Sequence, residues 1–185
     1  DVTLDAMRLD LSRELDAALT GPIDLITTSA LLDLVSETWL HQLLRKAAGR
    51  ALPIYAALTY DGRIELSPID PFDPVIVAAV NTHQRIDKGF GPALGPTAAP
   101  AAIDRLEALG YSIAHGRSDW EIGPYDRPMQ AALLSGWAGA AREMDTLPRA
   151  DIDDWLGRRE AALGARASSM RVGHLDFFAS PSSTR

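Results

Sequence analysis

The sequence predicts an α/β fold, a mostly parallel sheet with helices on both faces. Three observations carry it. Short apolar runs alternate with helical stripes in a β-α-β-α-β series, the pattern of parallel strands joined by crossover helices. The stretch PIDLITTSALLDLVSETW, from Pro22 to Trp39, reads as a buried strand that stops at a small polar ledge and re-enters the protein as a helix. The closing run MRVGHLDFFA is nearly continuous in apolar character, as suits an internal strand.

Val2, Leu4 and Ala6 alternate with Thr3, Asp5 and Met7, which predicts a strand running to about Leu11, with Asp10 at its carboxyl end. Ser12 caps a short helix, Arg13 to Leu19, closed by Thr20-Gly21-Pro22. The second strand is Ile23 to Thr28. Ser36 caps the next helix, whose stripe is Trp39, Leu40, Leu43, Leu44 and Ala47 at i, i+3, i+4 spacing. Arg45, Lys46 and Gly49 end it with cations and a left-handed terminator. LPIYAALTY, Leu52 to Tyr60, is a third strand, and Asp61-Gly62 is a tight turn into a short returning strand.

Asp73-Pro74 opens a strongly apolar helix to Arg85, with Asp as N-cap and Pro at the first helical position. IDKGFGPALGP, 86–96, is irregular, and Thr97 caps a helix over Ala98 to Leu109. Tyr111 to His115 and Trp120 to Ile122 read as strand segments. Two helices follow: Asp126 to Met144, with Met129, Leu133 and Trp137 on one face, and Asp151 to Leu163, with Ile152, Trp155 and Leu156 inward. Met170 to Ala179 is the last strand, and residues 180–185 form a disordered polar tail.

At 185 residues the chain predicts one domain, residues 1–179, with a substantial core. A net charge of −7 and the lack of a basic stripe weigh against a nucleic-acid partner. Without cysteine there is no disulfide, thiolate nucleophile or thiolate metal site. No apolar run approaches the roughly 18 residues of a membrane span, so a cytoplasmic protein with no membrane contact is the expectation. The chain opens in what reads as mid-strand and carries no glycine-rich phosphate or nucleotide loop. It therefore reads as a domain lacking its N-terminal part.

In open α/β sheets the ligand crevice lies outside the carboxyl ends of the strands. That edge would collect Asp10, the Thr28-Ser29-Ala30 ledge and Tyr60-Asp61. Small residues in the ledge let a flat ligand approach the backbone, although a plain strand-to-helix connection looks the same. The glycine-bearing loop Asp87-Lys88-Gly89-Phe90-Gly91 is either a lid or a surface turn plugged by Phe90. Asn81, His83 and Gln84 share one end of a buried helix and could line a pocket with that loop. His41 reads as solvated, and His174 as one half of an intra-strand polar pair with Asp176 at a sheet edge. No two histidines fall at metal-ligand spacing, so no metal is expected. No G-x-S-x-G elbow surrounds Ser29, which argues against a hydrolase nucleophile.

MRLDLS at 7–12, DLITTSALLDLVSETWL at 24–40, ALTYDGR at 57–63 and GHLDFFA at 173–179 together give a pattern that resembles the class I S-adenosylmethionine-dependent methyltransferases from their third strand onward. HQRIDKGFGPALG at 83–95 looks like a subgroup insertion after the fifth strand. The resemblance implies a Rossmann-like sheet in the order 3-2-1-4-5-7-6, with an antiparallel last strand. It implies S-adenosyl-L-methionine as cofactor, Asp10 on the adenine amino group, Leu11 beside the ring, and Thr28, Ser29 and Ala30 along the methionine and ribose. Tyr60 and Asp61 would face the substrate, joined by His83, Lys88 and Phe90 from the insertion. The family's glycine-rich first loop and the acidic residue after its second strand have no counterpart in this sequence. If the first two strands are missing, the strands at 2–11 and 23–28 would flank a gap of roughly 14 Å, given about 4.8 Å between neighbours.

The expectation is methyl transfer to an unidentified small-molecule acceptor, with the catalytic group unknown and a homodimer one option for assembly. The rival is a non-catalytic Rossmann-like module that binds a protein partner through an open sheet edge.

Overall fold

The computed structural model describes residues 3–182. The chain starts without regular structure, then makes one short helical turn, α1 (Leu15–Ala18), before the first strand, β1 (Ile26–Ser29). A 3-10 turn over Leu32–Leu34 leads into α2 (Glu37–Gly49), where Ser36 Oγ accepts from the Trp39 amide at 3.3 Å. That bond satisfies one of the amides a helix start leaves free. The apolar stripe Trp39, Leu40, Leu43, Leu44 and Ala47 is buried, as its spacing predicts.

After α2 comes β2 (Ile54–Ser67), which pairs in parallel with β1, Ile26 opposite Ile54 and Ser29 opposite Ala57. Then follow α3 (Asp73–His83), α4 (Ala98–Ala108), β3 (Tyr111–Arg117), β4 (Trp120–Ile122), α5 (Arg127–Glu143), α6 (Arg149–Gly164) and β5 (Ser169–Pro181). The sheet runs β1-β2-β5-β3, with β4 alongside the first part of β5. Among the described residues no helix is long and apolar enough to cross a membrane.

Strand β5 is internal, as its apolar run predicts, and it organises both cores. Successive side chains on a strand point to opposite faces. Its odd-numbered Phe177 and Ala179 join Ile54, Ala56, α2 and α4 in one core. Its even-numbered Met170 and Val172 join Tyr60 and helices α3, α5 and α6 in the other. Helices thus lie on both faces, at different ends of the sheet. Opposite the first core, no described residue covers the sheet: Thr27, Tyr55, Phe178 and Ala114 align in one exposed row across β1, β2, β5 and β3.

Several expectations are corrected. The sheet is α/β and open but not mostly parallel: only β1–β2 is parallel, while β2–β5, β3–β5 and β4–β5 are antiparallel. One reversed strand placed between neighbours makes every ladder it touches antiparallel. The strand expected at 2–11 does not form over its described part. Residues 3–10 are irregular, with Leu4 91% and Met7 71% exposed, and Val2 lies outside the described residues. Alternation gives a strand only where a neighbour completes its hydrogen bonds, and the outer edge of β1 has no strand beside it among the described residues.

Asp61-Gly62 is not a hairpin turn. β2 continues through it as a bulge, with β5 pairing on both sides: Tyr60 with His174, then Ile64 with Val172. Asp73 is the first residue of α3 rather than its cap, and its carboxylate is used elsewhere. Thr97 makes no side-chain cap; its hydroxyl donates to the Leu94 carbonyl. The inner face of α5 is Gln130, Leu134, Trp137, Ala138 and Ala141, leaving Met129 exposed. Ser180 and Pro181 belong to β5, paired with Ser112 and Tyr111, and residues 183–185 lie outside the described residues.

Candidate functional site

Two adjoining regions gather at the carboxyl end of β1. The first is an apolar groove of about 350 Å³, lined by Leu11, Leu19, Ile23, Leu31 and Trp39, with Thr28 among them. Leu11 is held there because its carbonyl accepts from Trp39 Nε1 at 2.7 Å. Thr28 Oγ1 is buried without a hydrogen-bond partner. Ser29 and Ala30 are exposed beyond the groove, Ala30 with a left-handed φ of 50° where the chain turns out of the sheet. Phe90 meets Trp39 edge to face, ring centroids 5.4 Å apart, so the loop carrying it seats against the groove wall.

The 83–95 segment is shaped from within. Asp87 Oδ1 accepts from the amides of Gly89 at 2.7 Å and Gly91 at 2.9 Å, and both glycines have positive φ. The Leu94 amide donates to the Val35 carbonyl, and Ala93 bridges Ser36. The loop is therefore fastened to the β1–α2 connection, over the edge where the ligand crevice was expected.

The second region is polar and buried. Asp33, in the 3-10 turn after β1, is only 7% exposed, and its Oδ1 has no partner. Burial raises its carboxyl above the ordinary range, against smaller opposing effects of a backbone hydrogen bond and of His174. Thr59 Oγ1 is likewise buried and unpartnered. Tyr60 donates its hydroxyl to Asn81 Oδ1 at 2.8 Å, and Asn81 Nδ2 donates to the Gly62 carbonyl at 3.0 Å. Burial holds the Tyr60 hydroxyl firmly protonated, helped by the negative charges of Asp61 and Asp33. His174 is 5% exposed, 4.8 Å from the Trp120 ring and 6.4 Å from that of Tyr60.

Beside it the bulge of β2 carries an ion cluster. Arg63 donates through Nε to Asp61 at 2.8 Å and through Nη1 to Asp119 at 2.9 Å. Those hydrogen bonds raise the Arg63 guanidinium pKa further. The bond from Arg63 is the main reason that Asp119 titrates low, at about 2. Asp119 also accepts from the His174 amide at 3.2 Å. Asp61, a residue expected to face substrate, is thus engaged with Arg63.

The expected site residues divide. Leu11 and Thr28 share the groove, Ser29 and Ala30 follow it, and Phe90 stands behind its wall. Tyr60 belongs to the buried polar cluster, with Asp61 next to it. Asp10 stands on no strand: it accepts from the Ser12 amide and hydroxyl, at 3.0 and 2.6 Å, in an exposed turn before α1. The Ser12 hydroxyl is the main cause of its lowered pKa. His83 Nε2 pairs with Glu143 at 2.8 Å across α3 and α5, and Lys88 has no ion-pair partner among the described residues. His41 is exposed, with Nδ1 3.0 Å from Arg105 Nη1. His174 is not at a sheet edge, because β5 is internal. Asp176 is occupied by the Leu58 amide at 2.8 Å and by the Ser118 hydroxyl.

Asp33 was not singled out from the sequence. Its signal was a lone carboxylate inside an apolar run, LLDLV, where charged side chains are rarely buried without a partner. The chain matches no family model and no curated protein.

Proposed function

We propose that the protein takes part in S-adenosyl-L-methionine-dependent methyl transfer to a small-molecule acceptor. The observation that carries this reading is strand order. β1-β2-β5-β3, with β5 reversed between β2 and β3, is the order that the resemblance implies for strands 4-5-7-6. The groove supports it from the ligand's side. Its apolar walls suit the faces of a flat heteroaromatic ring. Leu11 and Trp39 would flank that ring; no residue described offers a glycine-rich cradle for the amino-acid end.

The bound cofactor supplies an electrophilic methyl group on a sulfonium. The protein's share is to hold the acceptor in line with that methyl, to exclude water and to manage the acceptor's proton. On this reading Tyr60, Asn81 and the loop at 83–95 would serve the first two tasks.

Isothermal titration with S-adenosylmethionine tests the reading. Binding is expected, and Leu11→Ala should weaken it about tenfold through loss of apolar contact with the ring. Heat indistinguishable from dilution, repeated by equilibrium dialysis with labelled cofactor, would sink it. The rival reading, a partner-binding module, rests on a different observation: among the described residues β1 has no strand on its outer edge, and one face of the sheet leaves Tyr55 and Phe178 exposed. Concentration-dependent sedimentation, abolished by Tyr55→Ser with Phe178→Ser, would favour it.

A further inference from the structure

We propose that the exposed face of α2 carries a second binding site, for a small organic anion with an apolar body. It is separate from the groove at the end of β1 and does not rest on the methyl-transfer reading.

The site begins with helical spacing. Thr38, His41, Gln42 and Arg45 follow one another at three- and four-residue intervals, so they share the side of α2 opposite its buried stripe. Lys46 pairs with Asp16 of α1, and Arg105 of α4 pairs with Glu37, so both neighbouring helices are fastened to α2. These residues line a cavity of about 750 Å³. A smaller lobe of about 380 Å³ adjoins it, with Leu44 of α2 and Ala108 and Leu109 at the end of α4 as its apolar lining. His41, Arg45 and Arg105 line both, so they mark the junction. Only Leu15, in α1, is shared between the larger cavity and the groove at the end of β1.

The larger cavity is positive although the chain carries a net charge of −7. Arg13, Arg45, Lys46 and Arg105 line it against two carboxylates, Asp16 and Glu37, an excess of two positive charges. Both carboxylates are already engaged, with Lys46 and Arg105. Arg13 has only Asp10, at 3.8 Å and on the surface, and Arg45 has no ion-pair partner among the described residues. A guanidinium offers a planar fork of donors that matches a carboxylate or a phosphate. The pairs that hold the helices together therefore leave cationic capacity inside the cavity, and an anion is what it fits.

His41 adds a donor at the junction. Arg105 Nη1 can only donate, so at 3.0 Å it makes His41 Nδ1 an acceptor and places the proton of the neutral ring on Nε2. That N–H has no hydrogen-bond partner among the described residues. His41 and Arg45 stand four residues apart, as neighbours on one helix face. The head group accepts from both at the junction, and the apolar body lies along Leu44, Ala108 and Leu109. Leu109 is 42% exposed, so covering it removes apolar surface from water. A neutral or cationic amphiphile gains only that second contact.

Calorimetric titration of the full chain with octanoate, octyl phosphate, inorganic phosphate, octanol and octylammonium tests the site. We expect saturable binding of the two alkyl anions and at least ~10-fold weaker binding of the other three. Whichever alkyl anion binds more tightly identifies the head group as carboxylate or phosphate. Arg45→Gln should weaken that anion about tenfold, through loss of a charge-assisted hydrogen bond. The Arg45 side chain is exposed and makes no ion pair among the described residues, so this variant removes no such contact from the fold. Leu109→Ser should weaken the alkyl anions about fivefold and leave inorganic phosphate as it was. Arg127→Gln removes the same charge from the exposed start of α5, outside the cavity, and should stay within about twofold of the parent.

Spectra of ¹⁵N-labelled histidine, assigned with His41→Gln, read the junction directly. The neutral His41 ring should carry its proton on Nε2, and it should be the histidine that shifts most when the tighter anion is added. Equal weakening by Arg45→Gln and Arg127→Gln would reduce the effect to diffuse attraction and overturn the site. So would binding without saturation, any of the other three molecules binding as tightly as the alkyl anions, or a neutral His41 proton on Nδ1.

Discussion

Arg159→Met is expected to destabilise the protein by about 3–5 kcal/mol, the range for removing one partner of a buried ion pair. Arg159 is 2% exposed on α6. Its Nε donates to Asp73 Oδ1 at 3.0 Å, its Nη1 to the Pro68 carbonyl at 2.6 Å, and its Nη2 pairs with Asp73 Oδ2. Asp73 also accepts from Trp155 Nε1 at 2.9 Å and from the Asp70 amide at 2.9 Å. One carboxylate thus fastens α6 and the loop after β2 to the first turn of α3. Methionine keeps most of the buried volume but leaves that carboxylate without its cation. For a chain of this size the loss corresponds to roughly 10 °C in Tm, at about 2–4 °C per kcal/mol. The double variant Asp73→Leu, Arg159→Met should recover only part of it, because Trp155 and the Asp70 amide would still lack an acceptor. Urea unfolding that places Arg159→Met within 1 kcal/mol of the parent would show that the pair contributes little. The consequence reaches the site, since α3 carries Asn81 and so holds the Tyr60 hydroxyl.

What could be read from the sequence follows from how local each feature is. The stripe of α2 and its Ser36 cap are set by residues within one helix, and both stand as expected. The end of β1 at Thr28-Ser29 was legible because the change from apolar to small polar residues is abrupt. The bulge in β2 was not. Asp61-Gly62 demands the same positive φ in a hairpin and in a bulge, Gly62 having φ 91°, and what decides between them is the pairing with β5, far along the chain. The face of α5 was misread by one residue because Gln130 is polar. It is fully buried all the same, since its amide donates to the Gly123 carbonyl at 2.6 Å and to the Ser168 carbonyl at 3.2 Å.

The polar cluster shows the same limit. Tyr60 was singled out as a strand-end residue. Its neighbour His174, however, comes within 6.4 Å of its ring only because β2 and the internal β5 pair from distant parts of the sequence. His174 alone had a plainer account, an intra-strand polar pair. The irregular segment 3–10 marks the opposite case, in which a local pattern was clear and the partner it needs is not beside it.

Gly173→Ala is expected to cost about 1–3 kcal/mol, as overpacking does, and to scatter the ion cluster beside His174. A Cβ at Gly173 would lie 2.2 Å from Asp61 Oδ1, 2.8 Å from Arg63 Cβ and 2.9 Å from Arg63 Cζ. The far end of Asp61 can rotate away, but Arg63 Cβ moves only with the backbone of β2. Relief therefore pulls the bulge off β5 and takes Arg63 from Asp119. The acid side of the stability curve reports this directly. Asp119 is held down at about 2 in the folded protein, below its ordinary value of 3.8, chiefly because Arg63 donates to it. A carboxylate depressed on folding contributes stability that is present above its unfolded pKa and is lost as pH falls through the folded one. In the parent, this contribution should disappear between about pH 4 and 2. In Gly173→Ala, Asp119 should titrate closer to 3.8 and the contribution should be largely absent at every pH. Carboxylate ¹³C titrations and thermal melts between pH 2 and 6 measure both. If Asp119 still titrates near 2 in the variant, the cluster has absorbed the methyl group intact. The close approach of β5 to the bulge would then not depend on a glycine at that position, nor would the bond that the His174 amide donates to Asp119.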